Sequence, residues 1–226
     1  MSDEKLRAYI TERLDKGRMA DAIEAAKMGN VPLSEEELKG YIYHYLENGW
    51  ISRAIEGARV VGIELPEELL IGWLAKYLEE GQIYSAIDGS KVMGIPLPQD
   101  KLVATACKCL FEGKLAHGLK AYEIAGVTPP EEELIICARK CFEGGKLQDG
   151  LEAYKTAGKK PSAQELTICG DSCFEWGLVS SGLEAYRMAD ITPPKEKLIE
   201  CANICMIEKR KADARKAMVE ANKIPD

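Results

Sequence analysis

The sequence predicts an all-α protein, a right-handed α-solenoid of seven antiparallel helical hairpins with about fourteen helices. Three columns of residues predict it. Leucine recurs every 32 residues as Leu6, Leu38, Leu70, Leu102, Leu134, Leu166 and Leu198. Glycine keeps the same step at Gly17, Gly49, Gly81, Gly113, Gly145 and Gly177, and only Lys209 departs from it. A third column, Asn30, Gly62, Gly94, Gly126, Gly158, Asp190 and Asn222, holds only residue types that tolerate a left-handed backbone. A unit this short cannot bury its own apolar face and must stack on neighbours. The chain 1–226 is therefore a single domain of copies at about 2–33, 34–65, 66–97, 98–129, 130–161, 162–193 and 194–226.

The fifth copy shows each element in turn. Leu134, Cys137, Ala138, Cys141 and Phe142 share one face of a first helix. Gly145 stops it, because glycine reaches positive φ without steric cost. Leu147, Gly150, Leu151, Tyr154 and Ala157 share a face of the second helix, which stops at Gly158. Prolines follow the second stops, as in Leu65-Pro66, Leu97-Pro98, Pro129-Pro130 and Pro193-Pro194, and acidic residues come next. Proline suits a first turn and glutamate the positive end of the helix dipole, so a new helix starts there. The acidic column Glu4, Glu36, Glu68, Asp100, Glu132 and Glu196 has the same explanation, and Ser34 with Glu37 has capping-box spacing.

Cysteines fill two first-helix columns, Cys137, Cys169 and Cys201, and Cys109, Cys141, Cys173 and Cys205, with Cys107 off register. Thiolates hold zinc and iron–sulfur centres, but the comparison between copies favours packing. In copies one to three these columns hold Tyr9, Tyr41 and Trp73, then Arg13, Tyr45 and Tyr77, opposite the small residues Ala26, Ala58 and Ser90. In copies four to six they are cysteine, with Thr105 once, opposite Tyr122, Tyr154 and Tyr186. The neighbouring column turns from Ile10, Ile42 and Leu74 to Ala106, Ala138, Gly170 and Ala202. Aromatic bulk has changed sides, as close packing requires when one helix gains volume. The exchange divides the array into sub-arrays 1–98 and 99–226, meeting near Gln99.

The fifth copy resembles a tetratricopeptide repeat. Leu134 stands at the large first position, Cys137 and Ala138 at the large-small pair, Cys141 at the aromatic position, Gly150 at the small second-helix position, and Tyr154 and Ala157 after it. The unit is 32 residues against the family's 34, and cysteine stands where aromatics or leucine are usual. Gly145-Lys146-Leu147 and Ala125-Gly126-Val127-Thr128-Pro129 are similar to the related pentatricopeptide repeats. The resemblance implies ligand binding on the inner, concave faces of the first helices. Matching positions are Arg7 and Thr11, Lys39 and Tyr43, Ile71 and Ala75, Val103 and Cys107, Ile135 and Arg139, Thr167 and Asp171, and Ile199 and Asn203. The candidate ligand-binding residues are Arg7, Lys39, Tyr43, Arg139, Asp171 and Asn203. The family's lysine-and-asparagine carboxylate clamp is absent.

Composition narrows the function. The chain is 46% hydrophobic and 30% charged, in the range of folded globular proteins, with a net charge of −7 that disfavours non-specific nucleic-acid binding. The start Met1-Ser2-Asp3-Glu4 is not a targeting segment, and no membrane span is visible, so reduced thiols and a cytoplasmic location are expected. The chain has two histidines, His44 and His117, no phosphate-binding loop and no partnered nucleophile, so the expectation is no enzyme, no metal and no cofactor. Second-helix pairs such as Glu152/Lys155 and Glu184/Arg187 mark a solvated face. In the seventh copy Arg215 replaces an otherwise constant Ile or Leu beside Lys209, Arg210, Lys211 and Lys216, a polar cap. The expected function is a protein-interaction scaffold for a peptide or protein partner. The alternatives are a single-stranded RNA-binding pentatricopeptide array and a cysteine-based metal or redox protein. Against the RNA array, the column nearest the base-reading position is Ala8, Gly40, Gly72, Ala104, Ile136, Ile168 and Glu200, which cannot form a hydrogen-bond code.

Overall fold

The computed structural model describes residues 2–225. Among them it has fourteen helices and no strand. They run as hairpins: α1 (Asp3–Asp15) with α2 (Met19–Met28), α3 (Glu35–Glu47) with α4 (Ile51–Val61), α5 (Glu67–Glu79) with α6 (Ile83–Met93), and α7 (Gln99–Phe111) with α8 (Leu115–Ala125). Then come α9 (Glu131–Glu143) with α10 (Leu147–Thr156), α11 (Ala163–Glu175) with α12 (Val179–Ala189), and α13 (Lys195–Ile207) with α14 (Lys211–Ala221). The expected all-α class and its seven hairpins are what the structure has. The chain forms two compact units, one ending at Thr105 and the next beginning at Ala106. That boundary lies inside α7.

Every first helix ends in the same turn. Gly17, Gly49, Gly81, Gly113, Gly145 and Gly177 have φ between 64° and 75°, and Lys209 adopts φ 62° at the seventh position. The N–H that follows bonds five residues back, from Arg18 to the Arg13 carbonyl at 2.8 Å and from Arg210 to the Cys205 carbonyl at 2.7 Å. This pairing satisfies carbonyls that a helix end otherwise leaves bare. Lys209 thus breaks the glycine column without breaking the turn. The second stops behave alike from Asn30 (φ 51°) to Asp190 (φ 57°). Asn222 differs from expectation: at φ −71° it continues the helix, and its N–H bonds the Met218 carbonyl at 3.0 Å.

Helix starts also refine the sequence reading. Ser34 accepts the Glu37 N–H at 3.1 Å, half of the box expected there, while the complete reciprocal box forms at Ser162 with Glu165. Pro66, Pro130 and Pro194 stand at the N-cap, one residue before the expected first turn. Their ψ of 134° to 139° is the extended conformation that leads the chain into a helix.

Packing follows the exchange of bulk, unit by unit. In the first unit Tyr45 and Tyr77 are fully buried on first helices, while the second helices bury the small residues Ala54, Gly57, Ala58, Ala86 and Gly89. Consecutive second helices pack there, α2 on α4 and α4 on α6. In the second unit Cys137, Cys141, Cys169, Cys173, Cys201 and Cys205 are buried on first helices, and α9 packs on α11 and α11 on α13. Tyr122, Tyr154 and Tyr186 now fill the core from the second helices. A Cβ on Gly170 would lie 2.6 Å from the Tyr186 ring, so the residue must be glycine for that ring to fit. In the fifth copy the expected first-helix face is buried as read; in α10 Ala153 is buried, whereas Leu151 and Ala157 are half-buried.

A hydrogen bond crosses each successive junction. Tyr45 donates its hydroxyl to the Leu14 carbonyl at 2.5 Å, Tyr77 to that of Leu46, and Thr105 to that of Leu78 at 3.0 Å. In the second unit the donors are thiols: Cys141 to the Gly113 carbonyl at 3.4 Å, Cys173 to Gly145 at 3.2 Å and Cys205 to Gly177 at 3.3 Å. An intramolecular hydrogen bond contributes about 0.5–1.5 kcal/mol net, so each of these bonds ties a copy to the end of the first helix, or the turn, before it.

The turn geometry gives a paired prediction. Lys209→Gly should raise stability by roughly 0.5 kcal/mol, the net of removing left-handed strain and adding glycine's unfolded-state entropy. Gly145→Ala should lower stability by about 1–2 kcal/mol, because its φ of 68° lies in the left-handed region, where a Cβ is strained. Urea-unfolding midpoints of the two variants test this, and effects of the same sign would contradict it.

Candidate functional site

The first-helix columns singled out by the sequence lie on the surface. In the first unit Arg7, Thr11, Lys39, Tyr43 and Ile71 are exposed, and Lys39 pairs with Glu35 at 2.6 Å. Lys39 and Tyr43 share a face of α3, one turn apart. Beside them Gly40 and Gly72 are exposed inside α3 and α5, and a Cβ at either would meet nothing within 4 Å. In the second unit Asn203 and Ile199 are exposed on α13, Arg139 is exposed on α9, and Asp171 is half-buried on α11. The six candidate residues are thus distributed along the chain, three in each unit.

Two of the six, Arg139 and Asp171, are engaged by side chains of other helices. Arg139 donates Nε to Glu165 at 2.9 Å, and Glu165 also accepts from the Tyr154 hydroxyl at 2.5 Å and from the Ser162 N–H and hydroxyl at 2.8 Å each. Burial opposes the Glu165 charge, but the Tyr154, Ser162 and Arg139 donors outweigh it and hold the carboxyl at about 2. Burial and the same carboxylate push Tyr154 up to about 12. This node lines a groove of about 320 Å³ with Phe142, Gln164 and Ile168. Asp171 accepts from Tyr186 at 2.7 Å and lies 3.9 Å from Lys197. Tyr122 and Tyr154 donate to Glu133 and Glu165, one turn into the next copy. Where that column becomes Lys197, Tyr186 turns to Asp171 instead.

Most of the cysteines are core residues, and Cys141, Cys173 and Cys205 have a polar task as well. Seven are buried, Cys107 is half-buried, and all are free thiols. In the Cys137/Cys141 and Cys169/Cys173 pairs the neighbouring thiol and burial push the second ionisation far above the ordinary thiol range. Burial and Cys205 push Cys201 up to about 12. Burial and Glu133 raise Cys107. Among the described residues no group of three or more His, Cys, Asp or Glu side chains is placed to hold a metal ion. No helix among them is long and apolar enough to cross a membrane.

Two features escaped the sequence reading. The second-helix tyrosines were weighed as bulk, although the recurring Tyr-to-Glu spacing in Tyr122/Glu133 and Tyr154/Glu165 signals their hydrogen bonds. A second exposed apolar column, Met28, Val60, Val92, Ile124 and Met188, runs along the second helices just before their stops. Its 32-residue recurrence was available to find it. In the seventh copy Arg210 donates to the Gly177 carbonyl at 2.7 Å and Lys216 to Ser180 at 2.9 Å. The polar cap expected there is only partly polar, since Ile207 is 81% exposed.

No protein-family model matches the chain, and no curated protein matches it.

Two predictions follow from this chemistry. The depressed Glu165 carboxyl contributes stability that is full above its ordinary value of 4.5 and fades as pH falls toward about 2. The stability difference between wild type and Glu165→Gln should therefore be largest near neutrality and vanish in that acid window, as read by unfolding at stepped pH. Native thiol labelling with a neutral-pH disulfide reagent should modify Cys107 first, with the other seven reacting only on unfolding. Rapid labelling of Cys141 or Cys173 would contradict their place in the junctions.

Proposed function

We propose that this protein is a non-catalytic scaffold that binds a peptide or protein segment across the first-helix face, over α3 and α5. The observation that supports it most is the pair Gly40 and Gly72. A glycine inside an exposed helix costs about 0.5–1 kcal/mol relative to alanine, and here no neighbouring atom requires it. An absent side chain lets another backbone approach closely, which suits an extended segment lying over the two helices. Tyr43, 46% exposed, and Ile71, 41% exposed, supply apolar anchors beside them. Lys39 supplies charge at the edge. The site offers no nucleophile paired with a base, so binding is its chemistry. A protein partner and a cytoplasmic setting belong to the same proposal.

Peptides selected from a random display library on the immobilised full chain test the reading. Gly40→Leu and Gly72→Leu should each weaken the selected peptides by about tenfold or more, equivalent to about 1.4 kcal/mol, without loss of helicity. Tyr43→Ala should do the same. Peptide binding indifferent to all three, or retention of single-stranded RNA at moderate salt that these substitutions abolish, would overturn the proposal.

A further inference from the structure

The internal junctions define which columns meet when one copy stacks on the next. A Cβ on Gly57 would approach Met19 and one on Gly89 would approach Ile51, so the residue that opens each second helix faces the small residue of the following one. The left-handed turn residue faces the next copy at the Arg53 column, and at the Lys140 column in the second unit. Lys216 bonds Ser180, and Asp88 accepts from Ser52, so those two columns meet as well. Finally, the Tyr45, Cys141 and Cys173 column donates to the turn before it.

The same columns are uncovered at the two ends. On the first copy they include Arg13, Asp21, Glu24 and Ala25, and the last three line a groove of about 640 Å³ together with Tyr9 and Met28. Met28 is 84% exposed. Arg13 occupies the donor column; its guanidinium lies 4.6 Å from the Tyr9 ring centre, and its Nε is buried without a hydrogen-bond partner among the described residues. On the seventh copy, charge and apolarity are inverted relative to the other six. Lys211 stands where Met19, Ile51, Ile83, Leu115, Leu147 and Val179 pack, and Arg215 replaces Ile or Leu. Conversely, Ile207 stands in a column that is acidic in five of the other copies, and Val219 in one that is charged in all six. Both are exposed, as are Met206 and Met218.

We infer that this chain associates with further copies of itself head to tail, the first copy of one molecule packing on the seventh copy of the next by the rules of the internal junctions. The two faces match in charge and apolarity. Lys209, at the turn position, meets the columns of Glu12 and Asp21. Lys211 meets Ala25 and its neighbour Glu24. Met206 and Met218 bring apolar surface to Tyr9 and Met28, and Arg13, in the donor column, reaches the Lys209 carbonyl of the turn after α13. Opposite charges around an apolar centre give orientation and an association rate that falls with salt. Because the two faces differ, the contact is heterologous and can be repeated by every added molecule.

The test is weight-average mass by light scattering across concentration and salt, on the full chain. Wild type at low salt should rise from 24.9 kDa to at least twice that value, and moderate salt should lower it. Asp21→Lys with Glu24→Lys, and separately Lys211→Glu with Arg215→Glu, should each leave a folded monomer by circular dichroism. The chain carrying all four reversals should associate again. A wild type that stays at one chain's mass overturns the inference. So does association lost with the first pair but indifferent to the second, which would mean head-to-head pairing.

Discussion

A helix cannot finish its own hydrogen bonding, and here the carbonyls left at the end of each first helix are completed in part by the copy that follows. Everything else in the array adjusts to that requirement. A tyrosine hydroxyl reaches far from its backbone, so Tyr45 and Tyr77 bridge to Leu14 and Leu46 across a gap filled by their own rings. A thiol reaches only a short way, so Cys141, Cys173 and Cys205 serve where first helices lie in direct contact. The length of the donor thus accompanies the spacing of the helices. The opposite helices then take up the remainder, small residues in the first unit and tyrosine in the second.

That constraint changes what the cysteines mean. Their columns look like ligand sets because they repeat, but repetition arises from an acceptor that recurs at every turn. A thiol turned to a backbone carbonyl and buried among apolar atoms lacks the exposed setting that a nucleophile has and the neighbouring ligands that a metal ion needs. Serine would offer a stronger donor, yet it would bring a hydroxyl to core positions that also border apolar side chains. Cysteine meets both demands, being a small hydrophobe with a weak donor.

Much of the fold was legible because period 32 exposes every column at once. The buried face of α9 was readable from Leu134 to Phe142, and the two stops of each hairpin from residues suited to positive φ. What stayed hidden depends on distance in space. Lys209 departs from the glycine column, but the bond from Arg210 to Cys205 holds the same backbone without glycine. Asn222 looked like a stop, but residue type permits a left-handed backbone and does not compel it. Among the candidate site residues, exposure of Lys39 and Tyr43 followed from helical phase. The engagement of Arg139 did not, since Glu165 lies in the next copy and is also held by Tyr154 from the second helix of the fifth copy.

The turn between the helices of each hairpin has a consequence for how such a chain can change length. Gly113, Gly145 and Gly177 each present the same carbonyl to the same thiol one copy later. Within the second unit, therefore, a copy such as 130–161 carries at one end the donor its predecessor requires and at the other the acceptor its successor expects. Duplication or loss of one whole copy leaves both kinds of joint intact, whereas a change of even one residue shifts every column behind it. The second unit is thus suited to variation in quanta of 32 residues.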